Sequence, residues 1–180
     1  MKRIIALLLP MLIAAACAIG CAGRPGKTEP SAQPTEAAET TPEPAVSMFD
    51  LSEALRSAHN GSAELSYVSS SDQDPAGKLA YVSDIDYDKV DSFMMLYAAD
   101  GKESTDEIVV IALKEASDAP EAADTLRTHV ESRISLYSTY APELVEPLRN
   151  AKVFCEGRYA VLIISENADA VSRAFSAFVK

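Results

Sequence analysis

The 180-residue chain carries 27 acidic against 16 basic side chains, a formal net charge of −11, with 48% hydrophobic residues. That balance repels polyanions and excludes DNA and RNA as partners, while the apolar content and length suit one domain with its own core. Three cysteines and two histidines argue against a disulfide framework or a histidine-rich metal centre.

Lys2 and Arg3 precede an apolar run from Ile4 to Ile19 that only Pro10 interrupts. This is the layout of a secretory signal peptide, too short and too quickly broken for a membrane-spanning helix. Ala18-Ile19-Gly20-Cys21 then reads as a bacterial lipobox. Gly20 is small enough to precede the cleaved bond, Cys21 becomes the lipidated N-terminus, and Ala18 stands where Leu is usual. Ala14-Ala15-Ala16-Cys17 is the competing site, and a plain cleaved signal the third reading. Cys21 is favoured because Ala-Gly-Arg-Pro-Gly follows it at once, as a tether should.

The organisation expected is therefore a lipoprotein signal peptide over 1–20, a lipidated Cys21 with a tether over 21–46, and one globular domain over 47–180. The tether is rich in Pro, Thr, Glu and Ala, with nothing large and apolar before Val46. It buries too little to order itself, and its prolines keep it extended. A diacylglycerol plus a fatty acyl chain such as palmitate on Cys21 exceeds what stable anchoring needs. The membrane is then a partner through the anchor alone, the location is the outer face of the cytoplasmic membrane, and no other cofactor is expected. Cys155 is left without a disulfide partner and reads as a small buried hydrophobe.

Within the domain, Asp50 and Glu53 form a capping box for a helix presenting Met48, Leu51, Leu55 and Ala58 on one face, ended by Asn60-Gly61. Residues 62–80 are polar and turn-rich, with a short strand at Glu64–Ser69. Ser92–Ala98 is a strand, Asp100-Gly101 a turn, and Glu107–Leu113 a strand apolar on both faces. A helix from Asp118 to about Tyr140 follows, with Leu126, Val130, Ile134 and Tyr137 in one stripe. Pro142 and Pro147 flank a short helical piece. Lys152–Cys155 and Tyr159–Ser165 form a hairpin about Glu156-Gly157. A last helix from Glu166 or Asn167 carries Val171, Ala174, Phe175 and Phe178 on one face. The order from Asp91, ββαββα, gives an α+β fold. Its antiparallel sheet has about four strands with helices on one face. The other face is covered by the N-terminal helix or by a partner subunit.

Ile85-Asp86-Tyr87-Asp88-Lys89-Val90, Asp106-Glu107-Ile108-Val109-Val110-Ile111, Arg127 and Arg133, Tyr140-Ala141-Pro142-Glu143, Asn150-Ala151-Lys152-Val153 and Gly157-Arg158-Tyr159 occur in an order that resembles the bacterial lipoprotein family called domain of unknown function 4358. The resemblance spans roughly residues 80–180 and rests on motif order. It implies an α+β domain on the surface of a Gram-positive cell, and no chemistry.

Candidate chemistry is sparse. Asp84, Asp86 and Asp88 alternate as calcium ligands do, but Lys89 replaces the loop glycine and Met95 the closing glutamate, so an acidic loop is the simpler reading. His59 and His129 have no zinc-ligand spacing. A Ser-His-Asp arrangement would have to form in space, because no GxSxG or SxxK motif is present. Tyr137, Tyr140, Phe154 and Tyr159 gather as core and rim or as a ligand groove. Arg127, Arg133, Arg149 and Arg158 form surface ion pairs, Arg127 with Glu131, or a small anion site. The expectation is a non-enzymatic binding or interaction domain at the cell envelope, its partner an envelope protein or a small ligand. A small-ligand accessory or sensor of a transporter is the first alternative, and a cell-envelope hydrolase the second.

Overall fold

The structure is a computed structural model and describes residues 46–180. The segments expected as signal peptide and tether, with Cys17, Gly20 and Cys21, fall within residues 1–45 and lie outside the described residues.

Helix α1 (Met48–His59) opens the domain. Its cap is Ser47, whose Oγ accepts the Asp50 N–H at 3.3 Å. The cap thus lies three residues upstream of the expected Asp50, and Glu53, expected to reach back to Asp50, instead faces Arg56 at 3.5 Å. Asn60 ends the helix in the left-handed region, which Asn tolerates better than most residues. Strand β1 (Leu65–Ser69) leads to a one-turn helix α2 (Pro75–Leu79), started by Asp74 and Pro75. Strands β2 (Val90–Ala98) and β3 (Glu107–Leu113) follow. Helix α3 (Ala119–Tyr140) begins after a 3₁₀ turn at Ala116–Asp118. A second 3₁₀ turn and α4 (Val145–Arg149) precede β4 (Lys152–Glu156), β5 (Tyr159–Ile164) and α5 (Ala168–Phe178).

The sheet has five strands in the order β1-β2-β3-β5-β4, every pair antiparallel. It therefore has one strand more than the four expected, because β1 pairs fully with β2, Leu65 opposite Ala98 and Ser69 opposite Met94. The two hairpins differ. Gly157 and Arg158 alone close β4–β5, with Gly157 at φ +56°, the left-handed turn that glycine permits. The β2–β3 loop runs over residues 99–106 and is held by Asp100, whose carboxylate accepts the Lys102 N–H, so it is not the tight turn that Asp100-Gly101 suggested. Pro147 lies inside α4, in its first turn, where its missing N–H costs nothing.

The α+β architecture holds, but the helices divide between the faces. Helices α1 and α5 cover one side, where Leu51, Leu55, Val171 and Phe175 meet Met94, Leu96, Val110 and Val161. Phe175 is fully buried and takes Phe154 and Tyr159 edge-on at centroid distances of 5.9 and 5.7 Å, geometry worth about 0.5–1.5 kcal/mol per pair beyond area burial. Helix α3 covers the other side, where Leu126 and Val130 pack on Val109, Ile111, Leu162 and Ile164. Burial on both faces is why β5 and the part of β3 after Glu107 are apolar.

Candidate binding groove

Helix α3 lies across β5 and β4 and reaches only the rim of β3. Over β1 and β2 the same face is covered by α2 and the chain after it, through Leu79, Val82 and Ile85. A groove of about 570 Å³ remains between the two covers. Val68, Met95 and Tyr97 form its floor, Lys78, Tyr81 and Val82 one wall, and His129 and Arg133 the other. Tyr97 is 40% exposed and Tyr81 82%, so apolar surface stands open to solvent here. The volume falls within the range of small-molecule sites, about 300–1,000 Å³.

Glu107 closes the end of the groove. It is the first residue of β3, and strand alternation turns its side chain to the α3 face, with Val109 and Ile111. It is buried, and its Oε2 accepts from Arg133 Nη1 at 2.6 Å and meets His129 Nε2 at 2.9 Å. Arg133 also donates to the Thr105 carbonyl at 3.3 Å, and its guanidinium lies 5.5 Å over the Tyr137 ring. Tyr137 in turn donates its hydroxyl to the Gly101 carbonyl. His129, Arg133 and Tyr137 are four residues apart on one helix, hence on one face. That spacing was the readable signal of this network, and Glu107 was hidden as the polar lead residue of an apolar strand.

The aromatic cluster expected from sequence does not form. Tyr137 flanks the network and Tyr140 is 80% exposed at the end of α3. Phe154 and Tyr159 lie on the opposite face of the sheet, against Phe175. The arginines separate as well. Arg127 pairs with Asp124 rather than Glu131, Arg158 with Asp91 at 2.8 Å, and Arg133 with Glu107. Arg149 is exposed at the end of α4. Asp86 accepts the Asp88 N–H and starts a 3₁₀ turn, so it serves the backbone. No group of three His, Cys, Asp or Glu side chains among the described residues is placed to hold a metal ion. Cys155 is exposed, not buried: it stands on the edge strand β4, on the α3 face with Val153, and partial burial there pushes its thiol up.

A Ser-His-Asp row does occur, at the far side of the sheet. His59 Nδ1 lies 2.9 Å from Ser165 Oγ, and its Nε2 lies 3.5 Å from Asp106 Oδ2. Ser165 Oγ accepts the Asn167 N–H, and Asn167 Nδ2 donates to the His59 carbonyl. The row thus clasps the end of α1 to the start of α5, with His59 only 3% exposed and its Nε2 near Asp106 but without a hydrogen bond.

The family model described as Domain of unknown function (DUF4358) matches residues 63–165, more than half of the chain. The match begins just before β1, upstream of the span over which the resemblance was drawn, and ends before α5. No curated protein and no solved structure matches. By this match, which takes in the whole sheet and the Glu107–His129–Arg133 network, the chain belongs to the DUF4358 family of domains of unknown function.

Proposed function

We propose that this protein is a lipid-anchored extracytoplasmic binding protein, held at the outer face of the cytoplasmic membrane through Cys21, whose groove beside α3 receives a small amphipathic molecule. The observation that carries the reading is the groove itself. It combines an open apolar floor at Val68, Met95 and Tyr97 with a polar end at Glu107, His129 and Arg133 and one further cation, Lys78, on the facing wall. That combination is the usual composition of a ligand site, apolar lining for affinity and a few fixed polar groups for orientation. It favours a small ligand over a protein partner, because the exposed apolar surface is concave. Binding without turnover fits the network, whose carboxylate is committed to two neighbours. A domain of this kind on a tether suits an accessory or sensor of a transporter. The test is a thermal-shift screen of the protein with amino acids, sugars, wall fragments and metal ions, repeated on Tyr97→Ala. A saturable rise that Tyr97→Ala weakens supports the groove. A rise insensitive to Tyr97 would place binding elsewhere.

A further inference from the structure

We propose that the groove recognises a zwitterion, specifically a free α-amino acid with a large apolar side chain. This deepens the reading of the groove as a ligand site and rests on it. Glu107 concentrates both of its contacts on Oε2, at 2.6 Å from Arg133 Nη1 and 2.9 Å from His129 Nε2. Its Oε1 takes no hydrogen bond among the described residues. Arg133 engages only Nη1, on Glu107 and the Thr105 carbonyl. Its Nη2 and Nε donate to nothing among the described residues.

Glu107 and Arg133 both line the groove, and their remaining atoms offer a ligand an acceptor oxygen and guanidinium donors held side by side by their own ion pair. A ligand with one charge meets an attractive group and a repulsive one at the same place. A lone carboxylate faces Glu107, and a lone ammonium faces Arg133. An ammonium and a carboxylate on one carbon satisfy both at once, as charge-assisted hydrogen bonds. An extended peptide carries these charges at opposite ends and does not match. The floor of Val68, Met95 and Tyr97 then takes the side chain, and the volume of about 570 Å³ favours a large one over glycine or alanine.

The test is calorimetric titration of the protein with phenylalanine, methionine, glycine, phenethylamine, 3-phenylpropanoate and a diphenylalanine dipeptide. Phenylalanine or methionine should bind at least tenfold more tightly than glycine and than either single-charge analogue. Arg133→Lys and Glu107→Gln should each weaken that binding tenfold or more. Tyr97→Ala, in an exposed floor position that leaves the ion pair intact, should narrow the preference for large over small side chains. This last variant keeps the test valid should the network variants unfold the domain. Equal binding of phenethylamine or 3-phenylpropanoate would overturn the zwitterion while leaving the groove as a ligand site. Failure of every compound in the panel would overturn the inference. Binding unchanged by Tyr97→Ala would overturn both the inference and the groove.

Discussion

Asp106 and Glu107 are consecutive in the chain, and their carboxylates address opposite faces of the sheet, each against one of the two histidines. Asp106 Oδ2 stands 3.5 Å from His59 Nε2 at the α1–α5 clasp, and Glu107 Oε2 stands 2.9 Å from His129 Nε2 beside the groove. Strand alternation makes this division automatic. It places one acidic side chain on each face at the end of β3, where the sheet meets the long β2–β3 loop. The two sites have different characters. The first ties helices together, and the second opens on a groove.

The Glu107–Arg133 pair yields the first prediction. Both side chains are largely removed from water, 7% and 18% exposed. Arg133→Ala leaves the carboxylate buried with one partner fewer, and removing one member of such a pair costs about 3–5 kcal/mol when fully buried. With Arg133 reaching solvent, about 2–3 kcal/mol is expected. Replacing both, as Glu107→Leu with Arg133→Leu, should recover much of that loss. Urea denaturation of the two single variants and the double variant measures the coupling. Additive losses would mean the pair does not act as a unit.

The stretches read correctly from sequence are those where one local pattern decides the structure. The stripe at Leu126 and Val130, the apolar run of β3 and the Gly157 turn each carry their own signal. Helix α2 was missed because Gly77 and the surrounding polar residues mask the Asp74-Pro75 start. The split of α5 to the far face, and the exposure of Cys155 on the edge strand, depend on which face each element meets, which no single segment encodes. The groove was invisible for the same reason. It exists because α3 reaches only part of the sheet, and its polar end joins Glu107 to residues 22 and 26 positions away.

Gly61 tests the clasp. A Cβ there would stand 2.5 Å from His59 Nε2, and the buried ring has little room to give. Gly61→Ala should cost about 1–3 kcal/mol, and the cost should largely vanish in a His59→Ala background, a non-additivity diagnostic of direct contact. Gly157 behaves differently. Nothing lies within 4 Å of its Cβ position, but φ is +56°, so Gly157→Ala costs about 1–2 kcal/mol of backbone strain and Gly157→Asn less. Thermal denaturation of the five variants separates the two mechanisms.

Asp169 gives a pH signature. Its hydrogen bond and attraction to the Lys152 ammonium hold its carboxyl below the usual range. A carboxyl depressed in the folded state contributes stability that is present above its unfolded value and is lost as pH falls through the folded one. Asp169→Asn should therefore match the parent in strong acid and fall below it toward neutrality. The pair is exposed, so the gap should be small and should close in high salt. Denaturation midpoints across pH at two ionic strengths are the check.

The anchor is tested by Cys21→Ser. Lipidation at Cys21 predicts that this variant moves from the membrane fraction to the soluble fraction and no longer incorporates labelled palmitate. Retention of both properties would transfer the assignment to Cys17, to be tested by Cys17→Ser. Loss of membrane association without any labelled lipid in the parent would point to a plain cleaved signal.

Cys155 supplies the last test, because burial and thiol acidity make separable claims about it. Had it been a core residue, as its place in Val153-Phe154-Cys155 suggested, it would react only when the domain opens. It is exposed on the edge strand, so iodoacetamide should label it in the folded protein without denaturant. The thiolate is the nucleophile, and partial burial beside α3 raises the thiol while Arg127 offsets part of that and Asp124 adds to it. Labelling should therefore be slow at neutral pH and should accelerate at a higher pH than for an unstructured cysteine peptide. Arg127→Gln should push the midpoint higher still, and Asp124→Asn should lower it. Protection that disappears only in urea would return Cys155 to the core, and a midpoint below that of the peptide would contradict the raised thiol.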